Sequence, residues 1–356
     1  MRNRNEGLDL LKLICAFLVV SAHAMLPKPY GRYIKVFARI TVPIFFMITG
    51  YFSVARTSRA EDHSAEGALG GWSLRVGSKG ILKILKLVLF STAFYIVDGV
   101  CEHLADGTVA EYLSGVFSST ALWEMFAFNK PLAGYHLWYL YALLYAMIAI
   151  VIMDRLRLRK LLYILIPFLL VGDLVLGRYS IFFFGKHLPI IYTRNWLFYG
   201  LPNICLGMVM REYDIVERAR KYRTVIAFVT VFLIAGIFIE YNSFLYVLTS
   251  KTRQNYVFLI LSSVPVFILF AQTPSFHSAL AHRIADMGRE LSTGIYVIHV
   301  FFIEHLPPLI RRLGLSPIYR WTKPVIVFAL SAAVTWLYCA AKKRLLDMRK
   351  PAGPIS

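Results

Sequence analysis

Three ionisable residues stand in the first apolar stretch of this chain, and together their side chains could do chemistry. Asp9, Lys12 and His23 lie within residues 8–26, among leucines, valines and other apolar side chains. On a helix, Lys12 and His23 project within about 20° of each other and sit about 16 Å apart along the axis. Asp9 falls one turn before Lys12 on nearly the same face. Lysine binds or neutralises an anion, and imidazole, which titrates near neutral pH, takes a proton from a hydroxyl. In a competing reading Asp9 and Lys12 reach one membrane–water interface and His23 the other. Asp9 fits either reading, whereas the register of Lys12 with His23 favours function.

Further polar groups interrupt later apolar runs. His136 and Trp138 open one run within Tyr135-His136-Leu137-Trp138-Tyr139-Leu140, where an aromatic interfacial belt explains Trp138 better than His136. Arg194 and Asn195 open another, followed by Gly200, Pro202, Asn203 and Gly207; Asn203, near mid-helix, requires a partner or water. Tyr296 and His299, three residues apart, share a helix face beyond Gly288 and Ser292. The run Thr41–Tyr51 contains Pro43 and Gly50, as suits a helix beside a cavity. No pair of His, Asp or Glu has the tight spacing of a metal-ligand set, so no metal is expected. No glycine-rich phosphate loop occurs. Buried basic and imidazole groups around a polar cavity fit an enzyme that handles an anionic donor. They fit a transporter equally well.

The elements that must position these residues are membrane helices. Hydrophobic residues make up 58% of the 356 and charged residues 17%, below the roughly 25% of soluble domains. Mean hydropathy is +0.60. Apolar runs recur at a length suited to crossing about 30 Å of hydrocarbon, with no alternation of the kind a β-barrel needs. The expected fold is an all-α, polytopic transmembrane helix bundle of about ten spans. Their bounds are close to 8–26, 39–55, 80–98, 135–153, 160–176, 195–211, 223–240, 255–271, 291–309 and 322–341. A basic start and the small residues Ser21 to Ala24 resemble a cleaved leader, but Asp9 and Lys12 interrupt its apolar region. Residues 8–26 are therefore expected to be a retained first span.

The net charge of +19 follows from lysine and arginine gathered in cytoplasmic loops, so no nucleic-acid partner is implied. Arg2, Arg4, Arg56, Arg59, Arg75, Lys79, the cluster Arg155–Lys160, the block Arg211–Arg223 and the tail Lys342–Lys350 fall on one side if both termini are cytoplasmic. The loop 99–134, with Glu102, Asp106, Glu111 and Glu124 against Lys130, then lies outside. Arg311, Arg312 and Arg320 run against this bias. The four cysteines have no redox or metal spacing. No internal repeat is evident, and the basic stretch 56–79 reads as a loop. Residues 1–345 are expected to form a single membrane domain, with 346–356 a short cytoplasmic tail.

Five stretches in order resemble a known family. Gly7-Leu8-Asp9-Leu10-Leu11-Lys12, ten residues, then His23 is similar to the basic-x10-His signature of the acyltransferase 3 family of membrane acyltransferases. Pro43–Tyr51, His136–Leu140, Arg194-Asn195 through Gly207, and Ser292 through Tyr296 to His299 resemble its other motifs. Nearly the whole chain is covered. It also resembles the membrane half of the membrane-bound serine racemases of vancomycin-resistance clusters, without their soluble racemase domain, so racemisation is not expected. The resemblance implies transfer of an acyl group, usually acetyl from acetyl-CoA, to a hydroxyl of a cell-envelope glycan or a related small molecule. The setting it implies is a multi-pass protein of the bacterial plasma (inner) membrane, in contact with lipid.

Residue by residue, the resemblance makes Lys12 and His23 essential. Lys12 stands where the family often has arginine, keeping the charge but not the bidentate fork. The family's basic cluster near the third span corresponds to Arg75, Lys79 and Lys83, which would meet the phosphates of acetyl-CoA by charge. His23 would act as general base on the acceptor or carry the acyl group. Lys12, held by Asp9, would bind the donor or stabilise developing negative charge. His136, Trp138, Arg194, Asn195, Tyr296 and His299 are the further substrate-binding candidates. The alternative is a transporter or flippase for a small polar solute such as serine, although the paired interrupted spans expected of one are not found.

Overall fold

The computed structural model describes residues 4–56, 72–248 and 255–348. Arg2, Arg59, Lys350 and most of both the 56–79 loop and the 346–356 tail lie outside the described residues. Among the described residues the regular structure is helical apart from a pair of three-residue antiparallel strands, β1 (Val54–Arg56) and β2 (Trp72–Leu74). Among the described residues, six helices are long and apolar enough to cross a membrane: Tyr30–Ser53, Ser78–Leu104, Tyr135–Arg155, Arg220–Phe244, Ala279–Arg312 and Ser316–Met348. The other expected spans also fall on helices. Glu6–His23 and Arg159–Leu176 carry more charge, and Val257–Ala271 has only 15 residues.

The helices group into two compact units, Met1–Thr41 with Thr273–Ser356, and Val42–Gln272. The first contains α1 (Glu6–His23), α2 (Tyr30–Phe37), α14 (Ala279–Arg312) and α15 (Ser316–Met348). Helix α1 starts cleanly because the Asn5 side chain accepts from the Leu8 amide at 3.0 Å. Its apolar face packs on α14 and α15 through Ala16, Val20, Ala24, Leu291, Ile295 and Val327. Small residues allow close approach where lipid supplies no hydrophobic drive. Gly288 is the tightest point, since a Cβ there would fall 1.9 Å from the carbonyl oxygen of Asp9.

The second unit contains α3 (Thr41–Ser53) apart from its first residue, the strand pair, α4 (Ser78–Leu104), α5 (Val109–Val116), α6 (Ser119–Phe128), α7 (Trp138–Arg155) and α8 (Arg159–Leu176). The short α9 (Ser180–Phe184) follows, then α10 (Leu201–Glu212), α11 (Ile215–Arg218), α12 (Arg223–Leu248) and α13 (Val257–Ala271). Its core gathers Phe46, Ala142, Ala146, Met147, Ile204 and Met208.

Three expectations change. Gly50 in α3 does not mark a cavity: a Cβ there would meet Ile204 O at 1.9 Å, and one on Gly207 would meet Met47 O at 2.0 Å. The two glycines let α3 and α10 cross backbone to backbone. The stretch 99–134, expected as a loop, is largely helical, holding the end of α4 together with α5 and α6. The span expected at 291–309 begins a dozen residues earlier, at Ala279. The added turns are amphipathic rather than apolar, because their charged residues pair with the start of α1.

Candidate active site

In the first unit the structure gathers five of the residues singled out from sequence: Asp9, Lys12 and His23 on α1, and Tyr296 and His299 on α14. Asp9 is 3% exposed, beneath Gly288. It accepts from Lys12 Nζ at 2.9 Å and from Arg4 Nε at 3.4 Å. Asp9 is therefore a buried carboxylate held by two cations of its own helix end. Below it, Glu6 accepts from the Phe276 amide and lies 2.9 Å from His282 Nδ1. Arg4 bridges Glu6 at 3.3 Å and Asp286 at 2.8 Å, and Asp286 also meets Arg289 at 2.9 Å. The amides of Glu6 and Gly7 donate to the carbonyls of Pro274 and Thr273. This ionic cluster pins the start of α1 to the start of α14. Burial works against a charged Glu6, but its hydrogen bonds and the charges of Arg4 and His282 prevail, holding the carboxyl below its ordinary 4.5.

At the far end of α1 the His23 ring lies 5.2 Å from that of His299, tilted 52° to it. His299 is fully buried, and its Nδ1 lies 2.8 Å from Tyr296 O and 3.2 Å from Ile295 O. Carbonyl oxygens only accept, so Nδ1 of a neutral His299 carries the proton and Nε2 keeps its lone pair. The Tyr296 ring is 6.1 Å from His299. Imidazole thus meets imidazole at one end of α1 and an ammonium–carboxylate pair sits at the other, about 16 Å away. The two groups thus occupy opposite ends of the same helix.

The second unit holds the remaining candidates, in different surroundings. Arg75, just after β2, and Lys79 and Lys83, one turn apart on α4, are all solvent-exposed cations. His136 is buried, its ring edge-on to Tyr95 at 4.8 Å. Arg194 places its guanidinium 5.1 Å from the Trp138 ring, a cation–π contact. Asn195 is a capping residue. Its Oδ1 accepts from the amides of Leu197 and Phe198, and its Nδ2 donates to the carbonyls of Ile191 and Tyr192. Those four bonds use the whole capacity of the amide, so Asn195 shapes the π-helical turn Trp196–Gly200 and has nothing left for a substrate. Asn203 has its partner in Tyr199 O at 2.8 Å, at the junction of that turn with α10.

Sequence reasoning missed several charged groups of the second unit. Arg211 donates to Tyr51 Oη at 3.0 Å and lies over the rings of Tyr51 and Trp72. Arg159 binds Glu212 at 2.8 Å and Asp154 through Nε at 2.7 Å, while Tyr163 donates to Glu212 at 2.8 Å. Those carboxylates keep the Arg159 guanidinium charged in spite of its burial. Asp173 in α8 accepts from Asn255, whose Oδ1 accepts from Tyr199, and the buried Arg178 stacks 3.8 Å from Tyr256. Asp173 and Arg178 carried the same signal that drew attention to Asp9: an ionisable residue in or at the end of an apolar run.

Long apolar helices with ionisable groups buried among them define a multi-pass membrane protein built around polar sites. Its sequence matches the model of the acyltransferase 3 family, described as an acyltransferase domain, over residues 5–341, and the chain belongs to that family. It is similar to a serine/alanine racemase of Enterococcus gallinarum, 26% identical over 324 residues that cover 84% of this chain and 41% of the racemase. It is likewise similar to an amino-acid racemase of Enterococcus faecalis, 25% identical over 322 residues, covering 85% of this chain and 42% of that protein. The chain thus spans about two-fifths of the length of these relatives. No solved structure matches it.

Proposed function

We propose that this membrane acyltransferase moves an acyl group, in the simplest case acetyl, from acyl-CoA to a hydroxyl of a cell-envelope glycan or related small-molecule acceptor. In this reading residues 1–345 act as one catalytic domain with about ten spans in the bacterial plasma (inner) membrane. Both termini, including the tail 346–356, are cytoplasmic. The observation that carries the proposal is α1, which holds Lys12 against Asp9 at one end and His23 against His299 at the other. The exposed cations Arg75, Lys79 and Lys83 attract the phosphates of the donor from the cytoplasm, and Lys12 contributes a further positive charge for donor binding. His23 takes the acceptor's hydroxyl proton as that oxygen attacks the thioester carbonyl. The C–S bond then breaks, and the departing thiolate takes the proton back from the imidazolium. Packing against His299 restrains the His23 ring in place.

Membranes containing the wild-type chain or its His23→Ala variant, given acetyl-labelled acetyl-CoA and a cell-envelope extract, test the proposal. Label should pass to the extract only with wild type, at equal protein levels. Transfer by the variant removes His23 from the chemistry. No transfer by wild type across several extracts and acyl-CoA donors favours a carrier of small polar solutes, with serine uptake the next measurement.

A further inference from the structure

The end of the first unit that holds His23 is strongly basic. Residues 24–41 and 300–323 carry eight lysines and arginines, four in each stretch, against Glu304 alone. Six of them, Lys28, Arg32, Arg311, Arg312, Arg320 and Lys323, have no carboxylate partner among the described residues. All but the half-buried Lys323 are exposed. The fold brings the six together. Helix α14 ends at Arg312 and turns into α15 through Leu313–Leu315, where the amides of Gly314 and Leu315 donate to the carbonyls of Arg311 and Ile310. The Tyr30 ring, at the start of α2, lies 6.1 Å from that of Trp321, which carries Lys28 and Arg32 to the start of α15. The gathering of cations in cytoplasmic loops does not explain them, because with both termini cytoplasmic this end lies across the membrane.

A buried hydroxyl indicates what the charge is for. Tyr319 is 7% exposed, and its Oη has no hydrogen-bond partner among the described residues. Buried hydroxyls are otherwise bonded, so this one calls for a partner from outside the chain. Lys323 follows one turn along α15 on the same face. That face continues to Val327, which belongs to the apolar cluster of Ala24 and is flanked by Phe302 and Ile303. Gly294 sets the register of antiparallel α14 and α15, since a Cβ on it would meet Thr335 Cγ2 at 2.3 Å. At about 1.5 Å per residue, Lys323 lies about 10 Å and Tyr319 about 16 Å beyond His299 along the helix axes.

A phosphodiester answers these groups. It carries one negative charge, and its two free oxygens accept, one from a phenol and the other from an ammonium. The surroundings select a phosphodiester that bears apolar chains. Leu309, Leu313, Ile318 and Trp321 are each more than half exposed, on the same two helix ends as the arginines. Cations beside exposed apolar side chains match an amphiphile with an anionic head, whereas a soluble phosphate would meet the cations alone. We propose that this end of the unit is a site for an anionic phospholipid, its phosphate held by Tyr319 and Lys323 with Arg311, Arg312 and Arg320 beside it. Such a lipid binds whether or not the chain transfers acyl groups.

Full-length protein in a neutral detergent is titrated with phosphatidylglycerol or with phosphatidylcholine of the same chains, and bound lipid is counted by native mass spectrometry. Wild type should bind phosphatidylglycerol at least ~10-fold more tightly. Each cation beside an anionic headgroup contributes about fivefold, so Arg311→Gln, Arg312→Gln and Arg320→Gln together should abolish the preference. Tyr319→Phe removes only the hydroxyl and should weaken phosphatidylglycerol binding about tenfold. Without lipid it should melt no earlier than wild type, because no bond within the chain is lost. Lys343→Gln, which removes a cation toward the far end of α15, should leave lipid binding unchanged.

Equal binding of the two lipids by wild type overturns the proposal. So does a preference that survives the triple variant, or phosphatidylglycerol binding indifferent to Tyr319→Phe. Displacement of bound phosphatidylglycerol by millimolar inorganic phosphate or glycerol phosphate identifies a soluble phosphate as the occupant, and the lipid assignment falls.

Discussion

Replacing Gly288 with alanine puts the contact between α1 and α14 to a test in which even the sign of the effect is informative. In an isolated helix the change is favourable by up to about 1 kcal/mol, since glycine is the poorer helix former. Here the new Cβ would fall 1.9 Å from Asp9 O and 3.2 Å from Leu13 Cβ. The closest approach that Cβ atoms tolerate is 3.0 Å, so the helices must separate by at least 3.0 − 1.9 = 1.1 Å at this level. The closest contact, Asp9 O, is helix backbone, which cannot rotate aside as a side chain does. Overpacking of this kind costs about 1–3 kcal/mol. The same displacement moves α14, which carries His299, away from α1, which carries His23. A misplacement of about 1 Å at a reacting centre lowers a rate by up to ~100-fold. Gly288→Ala is therefore expected to melt earlier than wild type in detergent and to transfer acetyl ~10- to 100-fold more slowly. The control is Gly115→Ala, where the added methyl meets open space and only the helix-propensity gain remains. A Gly288→Ala protein with wild-type melting and activity would refute the close crossing and the dependence of His23 on α14.

Two further outcomes follow from the ionic groups of α1. Asp9→Asn leaves Lys12 with a weaker partner at a site where Asp9 is buried and the Lys12 side chain is only 21% exposed. Breaking a buried ion pair costs about 3–5 kcal/mol, and partial exposure of Lys12 lowers the expected loss to about 2–3 kcal/mol, measurable by chemical denaturation in micelles. The pin at Glu6 should depend on pH. Its carboxyl lies below the ordinary 4.5 in the folded chain, so the stability it contributes is fully present above pH 4.5 and is lost as pH falls through the lower folded value. Hydrogen exchange at the amides of Glu6, Gly7 and Phe276, corrected for its intrinsic pH dependence, should lose protection in that acid range, and Glu6→Gln should flatten the profile.

Legibility from sequence followed the physics of each feature. Apolar runs long enough to cross a bilayer mark helices directly, so the segments around 80–98, 135–153 and 223–240 fall on α4, α7 and α12. Ionisable residues inside such runs stand out because burying them is costly, which drew attention to Asp9, Lys12, His23 and His299. The same rule applies to Asp173 and Arg178, whose partner Asn255 is 82 and 77 residues away and has no local signature. Asn195 was selected for its polarity and its place in a motif, but only the folded chain shows its amide occupied on both sides, by the π-helical turn after it and by the carbonyls of Ile191 and Tyr192 before it.

By itself the sequence determined the solvent of this chain, the helical character of its apolar runs and the family to which it belongs. It also determined that Lys12 and His23 share one face of one helix, because helical spacing is a local property set by 3.6 residues per turn. The tertiary structure decided which groups stand opposite that face: His299 beside His23, Arg4 beside Asp9, and the backbone of α14 against α1 at Gly288. It also turned an acidic stretch between spans into helices, the end of α4 with α5 and α6. Pairings of this kind join residues up to nearly three hundred positions apart. They depend on which helix faces which and how closely the backbones approach, and a linear spacing encodes neither.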